Sequence, residues 1–248
     1  DIVKYDFGYE IDPVWEAGNK NIPGIYIEFK EPWLNPKGFE QIVYDVLANT
    51  QDMNIIEKPE PEDTPFYINN GTINVGNTNG KVILQTFSLE SLVRVAEVFQ
   101  GKVPMCFLLW KGTGATDLTY DDPLGYASFI NLGVKYKAHF IGPCIAGAPN
   151  DYPELDQPWQ DYLIHRAKMK NHPYTFDTYD QMAKYFGQYN FGVADGMFNP
   201  PYLDALFTNH SDMSINYMIT HGWRKSPASQ TLVDAREVLR KLGYLDNN

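Results

Sequence analysis

The stretch Gly24-Ile-Tyr-Ile-Glu-Phe-Lys-Glu-Pro-Trp33 decides the fold and the chemistry that this sequence predicts. Residues 25–29 are of strand-forming types and contain one carboxylate, Glu28, which Lys30 follows two positions later. Because side chains alternate along a strand, Glu28 and Lys30 are expected on one face. Burying an acid and a base there costs roughly several kcal/mol per ion unless a cation and an anion compensate them, which suggests one wall of a site for a metal and a phosphate. A solvent-facing salt bridge at the strand end explains the spacing equally well.

Strand-like and helix-like segments alternate along the chain. The strand-like segments are 24–30, 81–87, 103–110, 138–142, 172–176 and a short one at 191–196. The helical patterns are 38–47, 88–99 with Ser88 as cap, 123–136, 178–186 with Thr178 as cap, and 229–242. In the first helix the predicted buried face comprises Phe39, Ile42, Val43, Val46 and Leu47. This alternation predicts an α/β fold built from parallel βαβ units.

Irregular segments interrupt this rhythm at three places. Segment 57–80 is rich in Pro, Asn, Gly and acidic residues and is predicted to be an inserted loop. Segments 111–122 and 146–158 follow predicted strands, which is where active-site loops lie in a parallel barrel.

Composition excludes several classes of partner. The 248 residues are 44% hydrophobic, enough for a sizeable core, while the net charge is −11. This charge argues against nucleic acid and against anionic membrane surfaces, and the sequence contains no apolar run long enough to span a bilayer. An acidic protein that handles phosphate esters needs a local positive centre, for which a divalent cation is a good candidate. Cys106 and Cys144 lie in strand-like segments and are expected to be buried free thiols rather than a disulfide framework.

Features of the chain ends and surface suggest secretion. The sequence begins with Asp1 rather than methionine, as a mature chain cut from a precursor or a fragment does. Asn70 and Asn209 begin Asn-x-Ser/Thr sequons and are candidate glycosylation sites. An extracellular glycoprotein, processed from a precursor, is therefore expected.

Six segments together resemble the glycerophosphodiester phosphodiesterase family. They are Tyr26-Ile-Glu-Phe-Lys-Glu-Pro-Trp33, Val82-Ile-Leu-Gln-Thr-Phe87, 103–110, Phe140-Ile-Gly-Pro143, His172-Pro-Tyr-Thr175 and Ala194-Asp-Gly-Met-Phe198, in the family's order. The resemblance covers roughly residues 21–206 and implies a TIM (β/α)8-type barrel, of which this chain supplies about strands 4 to 8. Residues 1–208 would form this C-terminal part of the barrel, with residues 209–248 as a C-terminal helical extension.

The resemblance also implies an activity and roles for individual residues. The family hydrolyses glycerophosphodiesters to glycerol 3-phosphate and an alcohol, with a divalent cation such as Ca²⁺ or Mg²⁺. Glu28 matches the family's metal-ligating glutamate, and Lys30 matches the lysine that faces the phosphate. Trp110 and His172 are candidate substrate contacts, with core or rim packing and a structural histidine as their respective alternatives.

Half of the family's site is not visible in this sequence. The family's catalytic histidines and an acidic pair of metal ligands precede the glutamate–lysine strand, yet the 27 residues before Glu28 contain no histidine. Five or six strands of an eight-stranded barrel leave open edges. We therefore expect an N-terminal chain of the same precursor to complete the barrel, with an absent N-terminal domain or a diverged, inactive barrel as alternatives. After Phe198 the family's threonine and aspartate are also replaced, by Asn199 and Pro200.

Two other function classes remain open at the level of sequence. One is a non-catalytic extracellular binding or structural protein derived from the barrel, in which Glu28 carries no metal. The other is a carbohydrate- or lipid-binding α/β protein, suggested by three aromatic residues in predicted loops, Tyr120, Tyr152 and Trp159.

Overall fold

A parallel β-sheet organises the chain. The computed structural model describes residues 25–30, 34–49, 82–110, 121–188, 203–221 and 240. Within these residues the sheet has five strands in sequential order: β1 (Ile25–Glu28), β2 (Val82–Thr86), β3 (Met105–Leu109), β4 (Phe140–Pro143) and β5 (Lys170–Asn171). All neighbouring strands are parallel. The α/β prediction is confirmed, and the sequential order is consistent with part of a TIM-like barrel.

Helices connect the strands. They are α1 (Phe39–Asn49), α2 (Leu89–Phe99), α3 (Pro123–Lys135), α4 (Pro158–Arg166), α5 (Tyr179–Ala183), which continues as a π-helix over Lys184–Gln188, and α6 (Ser211–Thr220). The predicted caps of α2 and α5 are confirmed, because the Ser88 and Thr178 side chains accept hydrogen bonds from the N–H groups of Ser91 and Gln181. Each cap satisfies one of the backbone donors that a helix leaves unpaired at its start.

The hydrophobic core lies between one face of the sheet and these helices. On β2 the side chains of Val82, Leu84 and Thr86 are fully buried, whereas those between them are partly exposed. The ring of Phe107 on β3 stacks on Phe129 of α3, with their centroids 4.3 Å apart. Alternation along the strands therefore separates a helix-covered outer face from an inner face, which we define as the face that carries Glu28.

The predicted buried face of the first helix is wrong at two of its five residues. Ile42 and Val46 are both 55% exposed, whereas Glu40 and Leu47 are buried. Glu40 is held in place by Arg94, whose guanidinium nitrogen lies 3.8 Å from its carboxylate, and by the Ser91 hydroxyl at 3.5 Å. Hydrophobic spacing missed this rotation because α2 supplies a cation and a hydroxyl, which make a buried glutamate acceptable.

The predicted last strands also need correction. The regular strand β5 is Lys170–Asn171 rather than 172–176, because Pro173 has no N–H for a regular ladder. The chain nevertheless continues along β4, since the N–H groups of His172 and Tyr174 donate to Ile141 and Pro143. Helix α4 was not predicted. The predicted elements 57–80 and 191–196, and all of 229–242 except residue 240, lie outside the described residues.

The chain divides into two compact units. Ile25–Ser214 form the unit that contains the sheet. In the described part of the second unit, the ring of Tyr217 stacks on His221 with centroids 4.0 Å apart. No helix in the described part of the chain is long and apolar enough to cross a membrane.

Candidate functional site

The carboxyl end of the inner face holds a cavity of about 320 Å³. Glu28 and Gln85 are register partners on β1 and β2, so they lie side by side at one level of the sheet. The lining residues are Glu28, Gln85, Phe87, Leu108, Tyr152, Tyr174, Thr175, Phe207, Thr208 and Asn209. Parallel α/β folds place their ligand sites at this end of the strands, because the loops that follow the strands converge there.

Glu28 and Lys30 form an ion pair. The Lys30 Nζ atom lies 3.2 Å from Glu28 Oε2, with side-chain exposures of 74% and 21% respectively. Because Lys30 is largely solvated, this contact matches the solvent-facing salt bridge at the strand end that the spacing also predicted. Glu28 lines the cavity, and the Lys30 ammonium group lies beside one of its carboxylate oxygens.

Gln85 carries an amide oxygen whose hydrogen-bonding capacity is unused. Its Oε1 atom is buried and has no hydrogen-bond partner. An unpaired buried carbonyl costs about 1–3 kcal/mol, so such a group in a cavity wall calls for a physical explanation. Sequence reasoning identified only a glutamine at the end of a predicted strand. Its unpaired oxygen became visible in the tertiary structure alone.

Aromatic rings form a second wall of the cavity. The centroid of Tyr174 lies 5.7 Å from that of Phe87 and 6.0 Å from that of Tyr152. Trp110 is 40% exposed and extends the row, with its ring 6.4 Å from Tyr152. The Tyr174 hydroxyl donates to the carbonyl of Leu109, which fixes the ring at the end of β3. This places the predicted substrate contact Trp110 beside a cavity-lining residue.

The aromatic residues of the third function class do not form one loop surface. Tyr152 lines the cavity, but Trp159 lies in helix α4, where its half-buried ring meets Tyr126 edge-on at 5.5 Å. Trp159 is thus not a loop residue as expected, because α4 begins at Pro158. Tyr120 lies outside the described residues.

His172 lines a different cavity, of about 390 Å³, together with Tyr26, Lys170 and Asp204. Its Nδ1 atom lies 3.1 Å from the Tyr26 hydroxyl, and its ring stacks on Phe140 at 4.1 Å. Burial lowers the pKa of His172 to about 4, so the imidazole is neutral near pH 7. These contacts are those of a packed, neutral histidine on the inner face.

The two predicted glycosylation sites differ in what the structure describes. Asn209 is exposed, and its Nδ2 atom donates to Asp177 Oδ2 at 2.8 Å while its backbone N–H donates to Asp177 Oδ1. Asn70 lies outside the described residues.

Both cysteines are buried free thiols, as predicted. Burial raises the pKa of Cys106 and of Cys144 to about 12, so both thiols stay protonated. They are therefore core side chains rather than nucleophiles.

A buried polar network joins α4 and β5 to residue 204. Asn171 Nδ2 donates to Asp156 and Asp161, at 2.7 and 2.9 Å, and burial raises the pKa of both carboxyls. Burial also opposes a charge on His165, but Asp161 and Asp204 raise the pKa of His165 to about 10. Sequence reasoning missed this network, because its members are distributed over 49 positions, from 156 to 204, without a recognisable motif.

The fold and the cavity define the class as an α/β protein with a sequential parallel sheet and a mixed polar and aromatic pocket at the carboxyl ends of its strands. No protein-family model matches the chain, and no curated protein matches it significantly. Within the described residues, no three His, Cys, Asp or Glu side chains converge as a metal-binding group. A cation in this cavity would therefore need neutral oxygen ligands as well as Glu28.

Proposed function

We propose that this chain is the C-terminal part of a metal-dependent phosphodiesterase barrel that hydrolyses glycerophosphodiesters to glycerol 3-phosphate and an alcohol. One observation carries the proposal. The carboxylate of Glu28 lies at the carboxyl end of a parallel strand and lines a cavity there, with a lysine ammonium group 3.2 Å away. A carboxylate in the cavity wall and an exposed ammonium group beside it offer a cation ligand and a phosphate partner at one end of the sheet.

The donor set of the cavity fits a hard divalent cation. Glu28 supplies a carboxylate, and the neighbouring Gln85 supplies a buried amide oxygen without a partner. Ca²⁺ and Mg²⁺ prefer such oxygen ligands. When bound, the cation would polarise the phosphoryl oxygens and offset their charge.

Lys30 is proposed to contact the phosphate. Its side chain is 74% exposed, so the ammonium group can move from Glu28 to an incoming phosphate without leaving a buried site. Its positive charge would then stabilise the charge that develops on the phosphoryl oxygens in the transition state. Trp110, next to Tyr152, is proposed to bind the glycerol or alcohol moiety through its exposed ring.

The proton-transfer groups are proposed to come from an N-terminal chain of the same precursor. Of the five histidines, His139 and His172 are buried with pKa values lowered by burial to about 4, and His165 belongs to the carboxylate network. General acid–base work near pH 7 requires a group with a pKa near that value. A secreted location, which the Asn70 and Asn209 sequons suggest, belongs to the same proposal.

Intact-mass analysis of native material tests the partner, and a hydrolysis assay tests the activity. We expect a co-purifying segment of about 100 residues, the size of an ordinary small domain, that carries paired histidines. We also expect hydrolysis of glycerophosphocholine that depends on Ca²⁺ or Mg²⁺. Glu28→Gln should lower the rate at least about a hundredfold, because it removes the anionic ligand.

Glu97→Gln is the matched control, since Glu97 is an exposed glutamate on the outer side of α2. Its rate should equal that of the wild type. If hydrolysis and cation binding both survive Glu28→Gln, Glu28 is not in the site and the proposal fails.

A non-catalytic binding protein is the second candidate, and the Glu28–Lys30 ion pair favours it. The two charges compensate each other at 3.2 Å, so neither requires a bound ion. This candidate predicts no hydrolysis and no cation in elemental analysis of the native protein.

A further inference from the structure

Two residues with acceptor oxygens lie side by side at one level of the carboxyl end of the inner face. Glu28 and Gln85 are register partners, and strands of a sheet lie about 4.8 Å apart. A carboxylate only accepts hydrogen bonds, and the oxygen of Gln85 is also an acceptor. A cation bound at this level of the cavity wall could accept a lone pair from each of these two residues.

The described neighbours of Gln85 do not supply a positive group. On its other side Gln85 pairs in register with Cys106, a buried and uncharged thiol. Lys30 approaches the Oε2 atom of Glu28 but is 74% exposed. The Gln85 Oε1 atom is buried and without a partner despite these neighbours.

The geometry points to Gln85 as a second ligand, beside Glu28, of a divalent cation in this cavity. The inference rests on the cation site of the proposed function and deepens it by adding a residue with a defined donor atom. Amide carbonyl oxygens bind Ca²⁺ readily, and one carboxylate plus neutral oxygens is a common ligand set. The hydroxyl groups of Thr175 and Thr208 line the same cavity and offer further neutral oxygens.

Calorimetric titration of the native protein with CaCl₂, after treatment with a chelator, tests the inference. Gln85→Met replaces the amide by an apolar group of similar length. We expect it to weaken Ca²⁺ binding at least about tenfold, as loss of one ligand does. The unfolding temperature without Ca²⁺ should stay equal or rise, because an unpaired buried carbonyl is removed.

Gln85→Glu and Gln41→Met complete the design. Gln85→Glu adds a second carboxylate and should tighten Ca²⁺ binding while lowering stability without Ca²⁺. The side chain of Gln41 lies exposed on α1 and donates to the nearby Asp45, so Gln41→Met should change neither property. A purely structural Gln85 would alter stability in both variants and leave Ca²⁺ affinity constant.

The outcomes separate this inference from the proposed function. A Ca²⁺ affinity of Gln85→Met within twofold of the wild type overturns the inference, as does a wild type that binds no Ca²⁺ at millimolar concentration. If Gln85→Met loses Ca²⁺ while the wild type hydrolyses no glycerophosphocholine, the inference stands and the proposed function fails. If Gln85→Met keeps both Ca²⁺ and hydrolysis and Glu28→Gln loses both, only the inference fails.

Discussion

Single residues show how closely the inner face is packed. A Cβ atom on Gly142 would lie 2.7 Å from Leu108 Cδ2 and 3.1 Å from the carbonyl oxygen of His172. A side chain at this position would have to displace Leu108 and press on the backbone of His172, so glycine is favoured there. His172 is similarly confined, between Phe140 and the Tyr26 hydroxyl. Because the His172 ring is confined in this way, its protonation would lower the stability of the fold.

Replacing His172 tests this link between burial and pH. The unfolded state binds a proton on histidine below about pH 6.5, whereas the folded state does so only near pH 4. Stability is therefore lost as the pH falls through this window, by about 3 kcal/mol for this side chain at its lower end. The free energy of unfolding, measured in urea between pH 7 and 4, should therefore fall by about 3 kcal/mol more in the wild type than in His172→Gln.

The comparison uses the difference between two proteins because other groups titrate in the same window. The pKa values of Asp156 and Asp161 are raised, so these two carboxyls stabilise the folded protein as the pH falls. Their effect opposes that of His172. Identical pH slopes in the two proteins would show that His172 is accessible to protons in the folded state. His221→Gln, at an exposed position, is the control.

Helices and strands show where sequence patterns succeed and where they fail. The predicted helices at α2 and α3 match because their caps and periodic apolar residues act locally. The buried face of α1 was wrong because it depends on Arg94 and Ser91 of another helix. The regular part of β5 ends before Pro173 because proline has no backbone N–H to donate. A prediction from side-chain patterns does not take this into account.

Replacing the buried Glu40 tests how much its contacts with α2 contribute to stability. We expect Glu40→Gln to destabilise the protein by about 1–3 kcal/mol, because it removes a buried charge that Arg94 and Ser91 compensate. Glu90→Gln removes another partner of Arg94, a glutamate with 57% of its side chain exposed, and should cost about 0.5 kcal/mol or less. Equal free energies of unfolding, measured in urea for the two variants, would contradict a special role for the buried contact.

At the scale of the whole molecule, cation binding and folding are linked. A ligand that binds only the folded chain stabilises it by about 2.7 kcal/mol at a hundred times its Kd. If the cavity holds a cation, Ca²⁺ should raise the unfolding temperature of the native protein and a chelator should lower it again. Differential scanning calorimetry measures both.

Glu28→Gln should remove this response, and Glu97→Gln should retain it. An equal Ca²⁺ response in both variants would place the stabilising cation outside the cavity.

The sequence by itself determined the alternation of strands and helices, the helix caps and the location of Glu28 and Lys30 at the end of the first described strand. These follow from local propensity and from spacing, which act over a few residues. Only the tertiary structure decided that Lys30 pairs with Glu28, that Gln85 lines the cavity and has a buried oxygen without a partner among the described residues, and that His172 is packed and neutral. Those properties depend on strand register and on neighbours as much as 146 positions apart, as for Tyr26 and His172, which no local pattern encodes.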